Sequence, residues 1–170
     1  MSKKKFVSMG LAILMAFSML LVPAKAFAQS KTYITSTKIA QFTVKSAKKN
    51  QLVVSGLTAA GKKKTKVTIN ATYKLSSGLK GAKLTTSDKK TKCTVVGLNP
   101  KAFAGSKAKT VVLKSTKFTK ANVKNSFKGW KGGKKLTIKV PSSKLKAYKK
   151  IFTNANLGLA KSVKITVTKI

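Results

Sequence analysis

The stretch AFAG at residues 102–105 recurs further along the chain as SFKG at residues 126–129, and this repeat decides the predicted fold. Phe152 follows Phe127 at nearly the same spacing, and a short apolar segment follows each phenylalanine, at 111–113, 136–140 and 163–167. Units of about 25 residues that combine a turn or helix with one strand are typical of solenoids. Because one unit cannot bury its apolar face alone, we predict that Phe103, Phe127 and Phe152 occupy equivalent places in stacked units. The last three strands should then form a parallel sheet.

Three lysines follow the same spacing as the repeat. Apolar residues alternate with threonine or lysine in the last two segments, with 136, 138 and 140 predicted to face inward and Lys139 outward. Lys114, Lys139 and Lys164 are equally spaced along the chain, which predicts a ladder of ammonium groups on neighbouring strands. Like charges side by side oppose folding by a few tenths to about 1 kcal/mol per pair unless an anion lies over them. Lys114, Lys139 and Lys164 are therefore the predicted polyanion-binding residues; the alternative is that lysine is simply the default polar residue of this chain.

Composition argues against catalysis. All 38 basic residues are lysine, the only acid is Asp88, and histidine is absent, so the formal charge is +37. General acid–base chemistry needs a carboxylate or an imidazole, and metal sites need clustered Asp, Glu, His or Cys. The spacing Ser-x-x-Lys occurs at 46/49, 87/90 and 143/146, among other places, as chance allows in a lysine-rich chain, without the partner motifs of a penicillin-binding enzyme. We expect no enzyme activity, no metal site and no cofactor.

The amino terminus resembles a secretory signal peptide. Three lysines at 3–5 precede an apolar run at 6–22, and the triplet Ala-Phe-Ala follows at 26–28. We expect cleavage after Ala28, which leaves the chain from 29 to 170 and no integral membrane span. The alternative is an uncleaved anchor, because the run is nearly as long as the roughly 18 residues that a span requires. Cys93, the single cysteine, cannot form an internal disulfide, and we expect it to be buried as a small apolar residue.

The remaining chain is long enough for one domain, which we divide into two parts. Residues 29–93 contain the apolar pieces 39–44, 52–54 and 67–69, which predict short strands, and a Ser-, Gly- and Lys-rich loop or hairpin at 76–92. Residues 94–170 contain the repeats. Asn99 followed by Pro100 predicts a helix start, and Ser142 could cap a helix with residues 145, 148, 151 and 152 on one face, closed by Gly158.

The run 95–105, VVGLNPKAFAG, resembles the core of a BspA-type leucine-rich repeat, with its apolar pair, small turn, Ala-Phe and following glycine. The segment 136–152 is similar to the carboxyl-terminal closing unit of many secreted members, and 56–69 looks like the strand piece that precedes such repeats. The resemblance covers residues 94–170 and implies a β-rich α/β fold: a short leucine-rich-repeat solenoid of parallel strands with short helices or turns, after an amino-terminal β segment. It also implies an exported, non-catalytic bacterial protein. Many members carry long arrays, whereas about three units are visible here.

Three binding functions fit these observations. The first is a secreted or cell-wall-associated module held by its lysines to anionic cell-wall polymers or host surface glycans. The second is a non-specific binder of extracellular nucleic acid, which basicity supports and the absence of arginine, the preferred base reader, disfavours. The third is an adhesion module whose repeat face recognises a host protein. Trp130 could stack on a sugar or a base, but packing over its own turn is the alternative that we favour.

Overall fold

The computed structural model describes residues 32–45, 50–74 and 92–170. The predicted signal peptide, the loop that contains Asp88, and the Ser-x-x-Lys pairs at 46/49 and 87/90 lie outside the described residues. Within the described part, no helix is long and apolar enough to cross a bilayer.

The described residues form nine strands and a few short helical segments. The strands are β1 (Thr32–Ser36), β2 (Ala40–Lys45), β3 (Gln51–Leu57), β4 (Lys66–Ile69), β5 (Thr72–Lys74), β6 (Lys92–Leu98), β7 (Thr110–Leu113), β8 (Lys135–Val140) and β9 (Lys164–Lys169). Helices span Ala59–Lys63, Leu145–Ile151 and Asn154–Leu157, and single 3-10 turns span Ala121–Val123 and Ser142–Lys144. The fold is therefore mixed α/β and mostly strand.

The strands form two sheets. The first, sheet A, has the order β1-β2-β3-β6-β5; β3 and β6 are parallel and its other neighbours are antiparallel. The second, sheet B, has the order β4-β7-β8-β9 and is parallel throughout. The predicted division between residues 93 and 94 falls inside β6, which pairs with strands from the amino-terminal segment on both sides.

Sheet B confirms the prediction that the last three strands are adjacent and parallel. Leu136, Ile138 and Val140 of β8 are buried, whereas Thr137 and Lys139 are partly exposed, as period-two alternation requires. The strand predictions for the amino-terminal segment are also confirmed at β2, β3 and β4.

Two of the three repeat phenylalanines occupy equivalent places. The rings of Phe103 and Phe127 stack, and the main chain runs in parallel beside them: the Phe103 N–H donates to Ser126 O at 2.9 Å, and the Phe127 N–H donates to Leu157 O at 3.0 Å. Leu157 therefore takes the place of Ser126 in the next turn, whereas the repeat spacing predicts that place for Ile151, the residue before Phe152. The predicted equivalence of Phe152 is wrong.

Phe152 belongs to a separate aromatic cluster. Its ring meets Tyr148 edge-on at 5.4 Å between centroids and Phe118 at 6.2 Å. The reason is the helix Leu145–Ile151, which advances only about 1.5 Å per residue, so more residues are needed before the chain returns to the stacking position.

The predicted caps are placed differently in the structure. Residues 100–105 form hydrogen-bonded turns rather than a helix, and Lys101 has a φ of 62°, which a right-handed helix cannot accommodate. Ser142 makes no capping hydrogen bond with its side chain; Thr153 caps Asn154–Leu157 by accepting from the Asn156 N–H at 3.3 Å. Gly158, with a φ of 72°, is a left-handed carboxyl cap, but it ends the helix Asn154–Leu157; the helix that carries residues 145, 148 and 151 already ends at Ile151, so the prediction that Gly158 closes it is wrong.

Neutral polar side chains fix the loops of this nearly acid-free chain. The buried Tyr148 hydroxyl accepts from the Phe118 N–H and donates to Ser115 O, both at 3.0 Å. Burial raises the pKa of Tyr148 above its ordinary value, and the hydrogen bond from Phe118 opposes that shift. Asn156 Nδ2 donates to the carbonyls of Lys120 and Ile151 at 3.1 and 2.9 Å. These groups join loops without adding charge.

Candidate polyanion-binding edge

Lysines mark the start of the strands in sheet B. Strands β4, β8 and β9 begin at Lys66, Lys135 and Lys164, and Lys109 and Lys134 directly precede β7 and β8. Because the four strands are parallel, their first residues lie along one edge of the sheet. We call these five residues the lysine edge.

The strand register brings members of the lysine edge together. Lys135 pairs directly with Lys164, and the Lys164 N–H donates to Lys134 O at 2.8 Å. On the other side, Lys66 pairs with Thr110, the residue after Lys109. Neighbouring strands are about 4.8 Å apart, so the charges are crowded along the edge.

The predicted ladder of Lys114, Lys139 and Lys164 is not formed. Lys139 pairs with Val112 and Thr168, and Lys114 follows β7, where its N–H donates to Ile69 O at 3.0 Å. The ladder would need Lys139 opposite both other lysines, but Lys164 lies opposite Lys135, so the ladder prediction is wrong. Lys164 alone of the three belongs to the lysine edge; anion binding by Lys114 and Lys139 stays a prediction.

Unequal connections explain the register. Phe103 and Phe127 stack, yet the segment 104–109 suffices to join Phe103 to Thr110, whereas the longer segment 128–136 joins Phe127 to the paired Thr137. The Lys131 N–H still donates to Ser106 O at 2.9 Å, so the additional residues lie between Lys131 and Thr137.

That longer connection lines a cleft beside β7. Lys109, Gly132, Gly133, Lys134 and Lys135 line this open cleft, which has a volume of about 290 Å³. Gly133 has a φ of 100°, and a Cβ there would meet no heavy atom of the described residues within 4 Å, so no described residue packs on that side of Gly133.

Trp130 fixes the base of the connection. Its Nε1 donates to Ala108 O at 2.8 Å, and its ring lies so close to Gly132 that a Cβ at that position would overlap it. Packing of Trp130 over its own turn is thereby confirmed. Its hydrogen bond holds residue 108, the neighbour of Lys109, against the loop that carries Lys134.

The lysine edge faces solvent without a counter-charge from side chains. All five lysines are exposed, and the described residues contain no Asp or Glu.

The described residues also contain no group of three or more potential metal-ligating side chains. Ser143 and Lys146, the one of the three Ser-x-x-Lys pairs named above that is described, are both exposed at the surface. Cys93 is fully buried in the apolar core, as predicted.

A second concave surface lies on sheet A. This groove of about 470 Å³ has Val53, Val96 and Gly97 in its lining, with Gln51, Asn99, Asn125 and Lys124 among its polar residues. Asn122 closes one side: its Nδ2 donates to Val96 O, and its Oδ1 accepts from the Thr119 N–H at 2.7 Å. The side-chain amides of Gln51, Asn99 and Asn125 make no hydrogen bond with another described residue.

No protein-family model, no curated protein and no solved structure matches the chain.

The lysine edge has a sequence signal that equal repeat spacing missed. Each strand of sheet B follows a glycine and then one or more lysines, in the segments 61–66, 105–109, 132–135 and 158–164. Gly61 lies inside the helix Ala59–Lys63, and Gly158 ends the helix Asn154–Leu157. In each segment a lysine then lies at the start of a parallel strand or, before Thr110, directly precedes it.

Proposed function

We propose that this protein is a secreted, non-catalytic binding module of the cell surface, held by its lysines to anionic polymers. The observation that carries the proposal is the lysine edge: five lysines at the starts of four adjacent parallel strands, with no acidic side chain in the described residues. Wall polymers and host glycans supply phosphate, sulfate or carboxylate groups that match it.

The proposed architecture is a short leucine-rich-repeat solenoid. Three features support it: the parallel register of β7, β8 and β9, the stacking of Phe103 on Phe127, and main-chain hydrogen bonds between successive turns, such as Gly105 N–H to Gly129 O at 2.7 Å. The resemblance of residues 95–105 to BspA-type repeats points the same way.

Repulsion between neighbouring lysines favours the binding of an anion at the lysine edge. Directly opposed like charges on neighbouring strands destabilise a sheet by a few tenths to about 1 kcal/mol per pair. An anionic polymer over Lys135 and Lys164 would replace that repulsion by attraction. Each lysine near an anionic surface contributes about 1 kcal/mol to the binding free energy, so several lysines together suffice to retain the protein on the polymer.

The test compares two variants that lose the same charge. In the first, Lys66, Lys135 and Lys164 are changed to Gln; in the second, the exposed Lys117, Lys120 and Lys161 are changed to Gln. We expect the first variant to be eluted from purified anionic wall polymer at clearly lower salt than the second. Equal elution of both variants would contradict the assignment to the lysine edge.

The alternative function is non-specific binding of extracellular nucleic acid. Phosphate contacts by lysine need no base sequence, so DNA would bind with an affinity set by charge density alone. Competition separates the two proposals: DNA that displaces the protein from wall polymer only at a large excess of phosphate supports the wall polymer as partner, whereas displacement by equimolar DNA phosphate supports the alternative.

The groove on sheet A favours an added adhesion role. Its volume is that of a ligand site, and its apolar floor with unused amides is suited to a partner that offers hydroxyl or amide groups. Gly97→Val would place a side chain against Asn122, which already lies 3.0 Å from a Cβ position at Gly97. Loss of host-cell attachment with intact wall binding would support the role; unchanged attachment would contradict it.

A further inference from the structure

We infer that the cleft between Lys109 and the loop 132–135 is a binding site for a single phosphoryl group. The inference rests on the proposed polyanion-binding function and deepens it: the lysine edge would supply general attraction, and the cleft would select phosphate over carboxylate.

The cleft is built by residues that the repeat itself does not need. Phe103 reaches its strand at Thr110 through the short segment 104–109, whereas Phe127 reaches the paired Thr137 only through the longer segment 128–136. Because this segment is longer, Gly132, Gly133 and Lys134 form a loop between the turn at Phe127 and strand β8. Its effect is to form a concave surface where the first unit has a plain turn.

The walls of the cleft are held in place by hydrogen bonds on both sides. Lys109 donates its N–H to Thr65 O at 2.8 Å and accepts from the Thr137 N–H at 2.9 Å. Lys134 accepts from the Lys164 N–H at 2.8 Å, and the Trp130 indole holds residue 108. The main chain at residues 109 and 134 is thus fixed before an anion binds, which limits the entropic cost of ordering the site.

Three lysines around one small space favour a phosphoryl group. An ammonium group is a compact charge with three rotatable donors, and three of them match the several oxygens and near-double charge of a terminal phosphate. A carboxylate offers two oxygens and one charge. Gly133 leaves the main chain accessible, because no side chain covers it and no described atom approaches its Cβ position.

Two variants of equal charge test the site in the purified protein. One carries Lys109→Gln, Lys134→Gln and Lys135→Gln; the control carries Lys146→Gln, Lys149→Gln and Lys150→Gln on the helix Leu145–Ile151. The probe is inorganic tripolyphosphate, titrated calorimetrically at constant ionic strength, with citrate as the carboxylate comparison.

We expect the cleft variant to bind tripolyphosphate about tenfold more weakly, the control to change less than about twofold, and wild type to prefer tripolyphosphate over citrate. Replacement of the same three lysines by Arg, which keeps the charge, should retain most of the binding. Equal losses in both Gln variants, or equal affinity for citrate, would overturn the site.

Two further arms identify the source of the phosphate. A soluble glycerol-phosphate polymer and vesicles of phosphatidylglycerol are each tested with the cleft variant and the control. If the cleft variant, but not the control, loses binding to one of these probes, the site is supported and that probe identifies the source of the phosphate. If the cleft variant loses binding to neither probe, the proposed role of the cleft in polymer binding is overturned. Failure of wild type to bind any polymer would refute the proposed function, while tripolyphosphate binding would still report on the cleft.

Discussion

The rings of Phe103 and Phe127 stack with centroids 4.3 Å apart and planes only 2° from parallel. Such a pair links two successive turns whose main chains are also hydrogen-bonded, and both rings are fully buried. The ring stack and these hydrogen bonds therefore join the two turns within the core.

Coupling between the two rings should therefore be measurable. In a double-mutant cycle with Phe103→Leu and Phe127→Leu, we expect an interaction of about 0.5–1.5 kcal/mol in the free energy of unfolding. The matched control is the cycle of Phe103→Leu with Phe152→Leu, which should show almost no coupling, because Phe152 packs against Tyr148 and Phe118. Equal coupling in both cycles would contradict the assignment of Phe152 to a separate cluster.

The hydroxyl of Ser126 should be a source of instability. Its Oγ is buried and has no hydrogen-bond partner among the described residues, and the corresponding residue of the preceding turn is Ala102. We expect Ser126→Ala to raise the free energy of unfolding by about 1 kcal/mol, measured by denaturant unfolding.

Ser115 provides the control for Ser126. Its buried Oγ donates to Val95 O and accepts from the Lys117 N–H at 3.2 Å, so Ser115→Ala should lower the free energy of unfolding. A decrease in both variants would mean that the Ser126 hydroxyl is satisfied in solution.

Gly61 should not tolerate a side chain although it lies in a helix. A Cβ at Gly61 would overlap Ile39 O, whereas a Cβ at Gly56 would have its nearest contact at 3.5 Å, with the Gln41 side chain. We expect Gly61→Ala to lower the melting temperature clearly more than Gly56→Ala. Helix propensity alone predicts the opposite sign at Gly61, a gain of about 1 kcal/mol, so stabilisation by Gly61→Ala would refute the close contact.

Charge reversal at Lys164 should stabilise the sheet. Lys164→Glu places a carboxylate opposite Lys135 and replaces repulsion by attraction, which we expect to raise the free energy of unfolding by roughly 0.2–1 kcal/mol at low salt. Lys161→Glu, at an exposed position outside the strands, makes the same charge change without a directly opposed partner. If both substitutions stabilise equally, net charge rather than the Lys135–Lys164 pair determines the effect.

Much of sheet B was predictable because its signals are local. Period-two alternation in 136–140 and the recurrence of Ala-Phe and Ser-Phe before an apolar segment depend only on neighbouring residues. The order and direction of the last three strands follow from them, since stacked units must place their strands side by side.

Register was not predictable from an equal repeat spacing, because it depends on how much chain each connection uses. The loop 131–137 contains additional residues, and the helix Leu145–Ile151 advances the chain by only about 1.5 Å per residue. For these reasons Lys139 faces Val112 and Thr168 instead of two lysines, and the main chain at Leu157, rather than the residue before Phe152, pairs with Phe127. The lysine edge depends on strand starts rather than on equal spacing, and a search for glycine followed by lysine before each strand would have found it.

The most direct test of the proposed function is the salt dependence of binding to purified anionic wall polymer. Attraction between exposed charges is screened within about 8 Å at physiological salt, and counterion release makes the logarithm of the binding constant fall linearly with the logarithm of salt concentration. We predict a steep linear decline, and a shallower one for the variant lacking Lys66, Lys135 and Lys164. Retention that stays constant up to molar salt would contradict the account.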